Sequence, residues 1–262
     1  MTFYLGALIQ QSQFDKAEEI SHKVNSLQYY DQSMDMMISY YLFLYSTHIK
    51  KMNYCFKYHE KCLSKCIKTN NIKRQFNLEI IYSNYLEQIG FVEDALQINL
   101  KLLEKSKENY KYTYAVILNN TAWSYMLLHQ YKDALIHYLE VINIKPDNDP
   151  LFNISWCYYQ LNDYEKAKKY IHLGKKAPNR TDYYYLLLEW LDAMINKKYS
   201  QKTCDILQKI LKTSKDHLTD EMRYFILIEL INFYKYHHLY QEALAISESL
   251  INQNILTSTE IL

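Results

Sequence analysis

One short pattern recurs along this chain at near-constant intervals, and it limits the fold more than any other feature. Its clearest copy is Leu118 to Pro146, LNNTAWSYMLLHQYKDALIHYLEVINIKP. The segment reads as two short amphipathic helices around a tight turn at His129-Gln130. Leu118, Ala122 and Tyr125 mark the first helix. Tyr131, Ala134, Tyr138 and Val141 mark the second, and Pro146 ends it. Small residues at Ala122 and Ala134 let the two helices approach closely, while Tyr and Leu fill the space between them. With Ala134 as marker, steps of 39 residues backwards reach Ala95, Phe56 and Ala17. Forward steps of 33, 37 and 39 reach Ala167, Cys204 and Ala243. An aromatic stands three residues before the marker in four of the seven units, at Phe14, Tyr131, Tyr164 and Tyr240. Helical pairs that cannot bury an apolar face alone must stack on their neighbours. The expectation is an all-α fold, a right-handed α-solenoid of about seven hairpins forming one repeat domain over residues 1–262.

Composition supports this. The 262 residues include 28 Tyr but only 3 Gly and 3 Pro. So few breakers leave little room for β-hairpins, Gly-rich phosphate loops or a dinucleotide-binding turn. First helices are expected at Met1–Gln10, Asp35–Ile49, Phe76–Ile89, Tyr114–Leu128, Leu151–Gln160, Tyr183–Ile195 and Glu221–Tyr236. Second helices are expected at Phe14–Leu27, Tyr54–Lys68, Val92–Lys107, Tyr131–Ile144, Tyr164–Lys175, Gln201–Ser214 and Tyr240–Gln253. Asn148-Asp149-Pro150, Pro178 to Asp182 and Thr219-Asp220 punctuate the pattern, and Gly90 fits a turn between paired helices.

The pattern resembles the tetratricopeptide repeat (TPR), which has a small residue in its first helix, an Ala early in its second and a closing Pro. Two departures stand out: Leu118 holds the position where the family usually has Trp, and the spacing of 39 exceeds the usual 34. The first unit is short, with Leu5 at its small-residue position and no capping residue before it. Its start therefore reads as if an upstream segment were missing or a partner covered it.

The sequence offers little chemistry. His59, Cys62 and Cys66 share one helix face, where they either pack as small apolar residues or offer three soft ligands without an evident fourth. His237-His238 reads as a solvated turn. Neither GxSxG nor HExxH occurs, so no enzyme, metal or cofactor is expected. A formal net charge of +1 gives no global field for nucleic acid or anionic membranes. The 5 Cys form no paired framework, which suits a reducing, cytoplasmic setting. No apolar run reaches the roughly 20 residues that span a bilayer, and the start lacks the basic region of a signal peptide. One local charge run stands out. Residues 50–74 hold eight basic residues against Glu60 alone, and Lys57, Lys61, Lys65 and Lys68 form a helical stripe. This stripe is either a solvated convex face or a site for an acidic partner or for nucleic acid.

First helices of such hairpins line a concave groove. The groove-facing positions are expected to include Tyr41, Tyr45, Asn77, Asn84, Glu87, Asn119 and Trp123. Asn153, Trp156, Tyr159, Glu189, Asn232 and Lys235 complete the set. Asn both donates and accepts, so it can clamp a peptide backbone whatever its sequence, and aromatics supply side-chain pockets. Long divergent repeats with inner Asn resemble the C-terminal domain of the peptide-pheromone receptors of Gram-positive bacteria and their phages (the RRNPP class). That resemblance implies quorum sensing: a short peptide of roughly 5–10 residues bound in the groove, with altered curvature or an altered homodimer as output. Because the sequence starts inside the repeats, the family's DNA-binding or three-helix effector domain is expected to be absent from it. The alternative is a constitutive protein–protein scaffold, acting through the groove or the basic stripe. A clamp for a C-terminal carboxylate is disfavoured, because Asn119 and Trp123, or Phe152 and Trp156, have no basic partner there.

Overall fold

The structure is a computed structural model. It describes residues 2–11, 13–25, 32–107, 111–144, 150–177, 182–214, 218 and 220–259. Fourteen α-helices and no strands occur among the described residues. The chain divides into two compact units, Met1–Ile89 with Gln253–Leu262, and Gly90–Asn252.

Unit 1 holds α1 (Thr2–Gln10), α2 (Phe14–Asn25), α3 (Gln32–His48), α4 (Met52–Lys68) and α5 (Ile72–Gln88). Each packs on the next, and α1 also packs on α3. Gly6 permits that second contact, since a Cβ there would stand 2.5 Å from the Tyr41 ring. The core gathers Leu5, Phe43, Cys55, Cys62, Leu78 and Tyr85. Unit 2 holds α6 (Val92–Ser106), α7 (Lys111–Leu127), α8 (Tyr131–Ile144), α9 (Leu151–Gln160), α10 (Tyr164–Lys176), α11 (Asp182–Asn196), α12 (Gln201–Thr213), α13 (Asp220–Tyr236) and the start of α14 (Tyr240–Thr259). Here too neighbours pack in sequence from α6 to α13, and first helix α9 touches first helix α11 directly. The unit 2 core gathers Ala122, Ala134, Tyr138, Phe152, Cys157, Trp190 and Leu207.

A repeated turn sets the hairpin geometry. Lys50, His129, Asn162, Tyr199 and His238 adopt φ of 54, 59, 61, 55 and 59°, and Gly90 adopts 89°. Each stands five residues before a small buried residue: Cys55, Ala134, Ala167, Cys204, Ala243 and, after Gly90, Ala95. The residue after the left-handed one reaches back to close the first helix. Gln130 N–H donates to Tyr125 C=O at 2.9 Å, and Asp163 to Tyr158 and Leu239 to Tyr234 at the same distance. The aromatic three before the marker now has a reason. Tyr131 and Tyr240 hydroxyls bond His129 and His238 Nδ1 at 2.8 and 2.9 Å, and Tyr164 O–H donates to Asn162 Oδ1 at 3.0 Å.

This geometry corrects the second unit's marker. Cys55 is fully buried and stands five after Lys50, while Phe56 is only half-buried. The small residue is therefore Cys55, and the spacing of 39 misreads that unit by one. Helix ends otherwise fall close to expectation, except that α3, α5 and α7 begin three or four residues early and α14 continues beyond Gln253 to Thr259. The first turns of α3, α5 and α7 carry few apolar markers, so periodicity cannot see them. Met1, the expected end at Leu27 and the punctuation at Pro146, Asn148, Asp149, Pro178 to Thr181 and Thr219 lie outside the described residues.

The thiols behave as packing groups. All five are buried, and burial pushes Cys55 and Cys157 up to about 12. Cys62 and Cys66 lie with Sγ atoms 4.0 Å apart, while His59 turns away to stack on Tyr82 at 3.7 Å and approach Glu79 Oε2 at 3.4 Å. The basic stripe is partly consumed within unit 1. Lys65 pairs with Asp35 and donates to Ser39 Oγ at 3.1 Å, Lys61 lies 3.9 Å from Asp35, and Lys57 lies over the Tyr58 ring. Lys68 is exposed.

Candidate functional site

The richest polar-aromatic surface of unit 2 is built by α9, α11 and α13. Apolar spacing turns Phe152 and Trp156 of α9 toward Leu187 and Trp190 of α11, which anchors both helices. Trp156 and Trp190 stack at 5.6 Å. Phe225 of α13 meets both edge-on, at 5.1 and 5.7 Å, and lies 6.3 Å from Phe152. Tyr159 stacks on Trp156 at 5.5 Å and contacts Tyr164 at 5.7 Å. Trp156 keeps 8% of its surface exposed, whereas Tyr159 and Phe225 are half-buried. Ring edges and faces thus meet solvent on a rigid aromatic base.

One turn beyond Phe225 on the same face lies Glu229. Burial raises its carboxyl above the ordinary range, with Asn232 and Lys198 opposing. Tyr131, Tyr159 and Tyr199 lie within electrostatic reach of it. Burial also pushes the Tyr159 phenol up to about 12, so it remains a hydrogen-bond donor. Asn232 Nδ2 donates to Glu229 Oε1 at 3.4 Å. The surface therefore combines flat apolar contact, neutral phenols and one costly carboxylate. It is suited to holding an extended polar chain with bulky side chains, and among the described residues no group of three or more His, Cys, Asp or Glu is placed to hold a metal.

The expected site residues fall in several places. Trp156, Tyr159 and Asn232 join the surface just described. Asn153 is half-buried and donates to Tyr138 Oη at 3.1 Å, tying α9 to α8. Asn119 and Trp123 lie one helical turn apart on α7, both half-buried, and Trp123 rests on the same core. Glu189 is half-buried on α11, and Lys235 is exposed near the end of α13. Asn77, exposed, and Asn84 and Glu87, half-buried, belong to α5 of unit 1. Tyr41 and Tyr45 belong to α3, Tyr45 being buried in the unit 1 core. Sequence reasoning missed Glu229, Phe225 and Trp190. Steps of three and seven residues back from Asn232 lead to Glu229 and Phe225, a helical signal passed over in favour of Asn. His237 and His238 are exposed turn residues as read, and His237 in addition bonds Tyr199 C=O through Nε2 at 2.7 Å with its ring 4.5 Å from Phe233.

No family model and no curated protein sequence matches this chain. Solved structures do match. The apo form of RapI superposes with a TM-score of 0.77 at 18% identity, over 99% of this chain and 96% of that one. A Rap protein in complex with Competence and Sporulation Factor gives 0.71 at 16%, over 98% and 73%. NprR in complex with its cognate peptide NprX gives 0.55 at 14%, over 94% and 86%. The fold is thus all-α, of the TPR solenoid class, and resembles that of the RRNPP-type receptors. Among the described residues no helix is long and apolar enough to cross a membrane.

Proposed function

We propose that this chain is a peptide-sensing TPR module, taking a short peptide on the first-helix face of unit 2. The observation that carries the proposal is the α9–α11–α13 surface. There the Trp156, Trp190 and Phe225 rings form a base, and Glu229 sits beside half-buried phenols. A carboxylate kept in poorly hydrated surroundings costs stability, and such positions concentrate where ligands bind. Two structures of similar fold were solved with a peptide factor or cognate peptide bound, which supports the same ligand class. Asn119 and Trp123 on α7 extend the surface, with Asn119 serving the peptide backbone. Output follows from a change in hairpin packing that a partner or second copy reads. The proposal places the chain in cytoplasmic, quorum-sensing type signalling, as one sensing domain without catalysis of its own.

The test is a short-peptide display library panned on the whole chain, followed by calorimetry on the selected peptides. The expected result is stoichiometric binding that Asn119→Ala and Glu229→Gln each weaken about 5–50-fold, by loss of one or two hydrogen bonds. Selected peptides that bind both variants as tightly as the parent chain remove this surface from consideration.

A further inference from the structure

A separate pocket of about 100 Å³ lies wholly within unit 1, lined by residues of α2, α3, α4 and the turn before α4. Its wall is unusual in charge. Among the described residues it contains Lys51 and His22 but no carboxylate. The neighbouring Lys61 and Lys65 both engage Asp35, whereas no described carboxylate pairs with Lys51.

Two further features converge on the pocket. Tyr58 lines it, is 6% exposed, and its hydroxyl makes no hydrogen bond among the described residues. Its oxygen is not among the buried atoms left without a partner, so the hydroxyl is open to the pocket and free to donate to a ligand there. Lys51 is also the N-cap of the 17-residue α4, and it provides no side-chain cap. The first N–H groups of α4 therefore lack a capping acceptor from Lys51, at the positive end of the helix dipole. Tyr54, in the first turn of α4, is likewise part of the wall, which sets that end of the helix at the pocket.

We propose that this pocket binds a phosphoryl group, as inorganic phosphate or as a small phosphate monoester. Lys51 supplies the charge, the Tyr58 hydroxyl and the α4 N–H groups supply donors, and Tyr54 adds a hydroxyl. A carboxylate has two acceptor oxygens and leaves several of these donors unused. A tetrahedral phosphoryl group presents three or more and fits a wall without acids. Leu42 and Ile49 give the substituent of an ester an apolar wall. The site is independent of the peptide face.

The experiment is titration of the whole chain with inorganic phosphate and with phenyl phosphate at constant ionic strength, by calorimetry and phosphorus NMR, with chloride as the control anion. One saturable site is expected. Lys51→Gln should weaken it about 10-fold or more and Tyr58→Phe about 3–10-fold, the scale of a charged and a neutral hydrogen bond. Lys51→Arg should retain most of the affinity, and far-UV circular dichroism should be unchanged throughout. Tighter binding of phenyl phosphate identifies an ester as the source, and tighter binding of inorganic phosphate identifies the free ion. Non-saturable binding, equal binding of chloride, or unchanged affinity in Lys51→Gln overturns the proposal.

Discussion

Glu229 lies within electrostatic reach of Tyr131, Tyr159 and Tyr199 and has the amide of Asn232 within hydrogen-bond reach. Its carboxyl titrates above the ordinary value of 4.5 because burial outweighs both favourable neighbours. A carboxyl whose folded-state value is raised holds its proton more tightly folded than unfolded. Stability then falls as pH rises from about 4.5 through the folded-state value, and the ionised side chain remains a net cost at neutral pH. Glu229→Gln is therefore expected to raise the melting temperature at neutral pH and to change it little below 4.5. Melting curves across that range check it, and a variant less stable at neutral pH contradicts the sign. At this scale the sequence was only partly legible. Trp156, Tyr159 and Asn232 were reached by counting along one helix at a time. Glu229 takes its character from α8, α9 and the turn before α12, and no count along α13 reveals those neighbours. Asn153 shows the converse, since its amide is committed to Tyr138 by a contact between helices.

Between residue and fold lies the turn, used at the same place in six hairpins. Only Gly90 meets the left-handed conformation without a side chain, and a Cβ built there would touch nothing within 4 Å. Gly90→Ala thus isolates backbone strain from packing. It is expected to cost about 1–2 kcal/mol, the penalty for an L-residue in that region, and Gly90→Asn clearly less. Chemical denaturation of the two variants decides it, and equal stabilities contradict the strain account. The elements themselves were read well because small residues, aromatics and turns recur together. The one-residue error at Phe56 arose because a uniform step of 39 was carried through that unit, where Cys55 fills the space that Ala or Cys204 fills elsewhere. The early starts of α3, α5 and α7 escaped notice because their first turns carry few apolar markers and so show no clear period.

Across the whole molecule, the fold matches that of RapI although only 18% of residues are identical. Volume at the marker and the turn five residues before it suffice to specify a hairpin, leaving the faces free to vary. One consequence is optical. The chain's 3 tryptophans are Trp123, Trp156 and Trp190, carried by α7, α9 and α11 of unit 2. Light absorbed by indole but not by phenol therefore excites that face alone, while the 28 tyrosines remain dark. A peptide seated on α9, α11 and α13 is expected to shift or quench the emission in proportion to occupancy. One that binds with unaltered emission has docked elsewhere. The stacked pair Trp156 and Trp190 adds a second channel, an exciton couplet of the strong indole band in far-ultraviolet dichroism that is sensitive to their mutual angle. The protein thus carries an intrinsic gauge of the packing between α9 and α11, readable without any label.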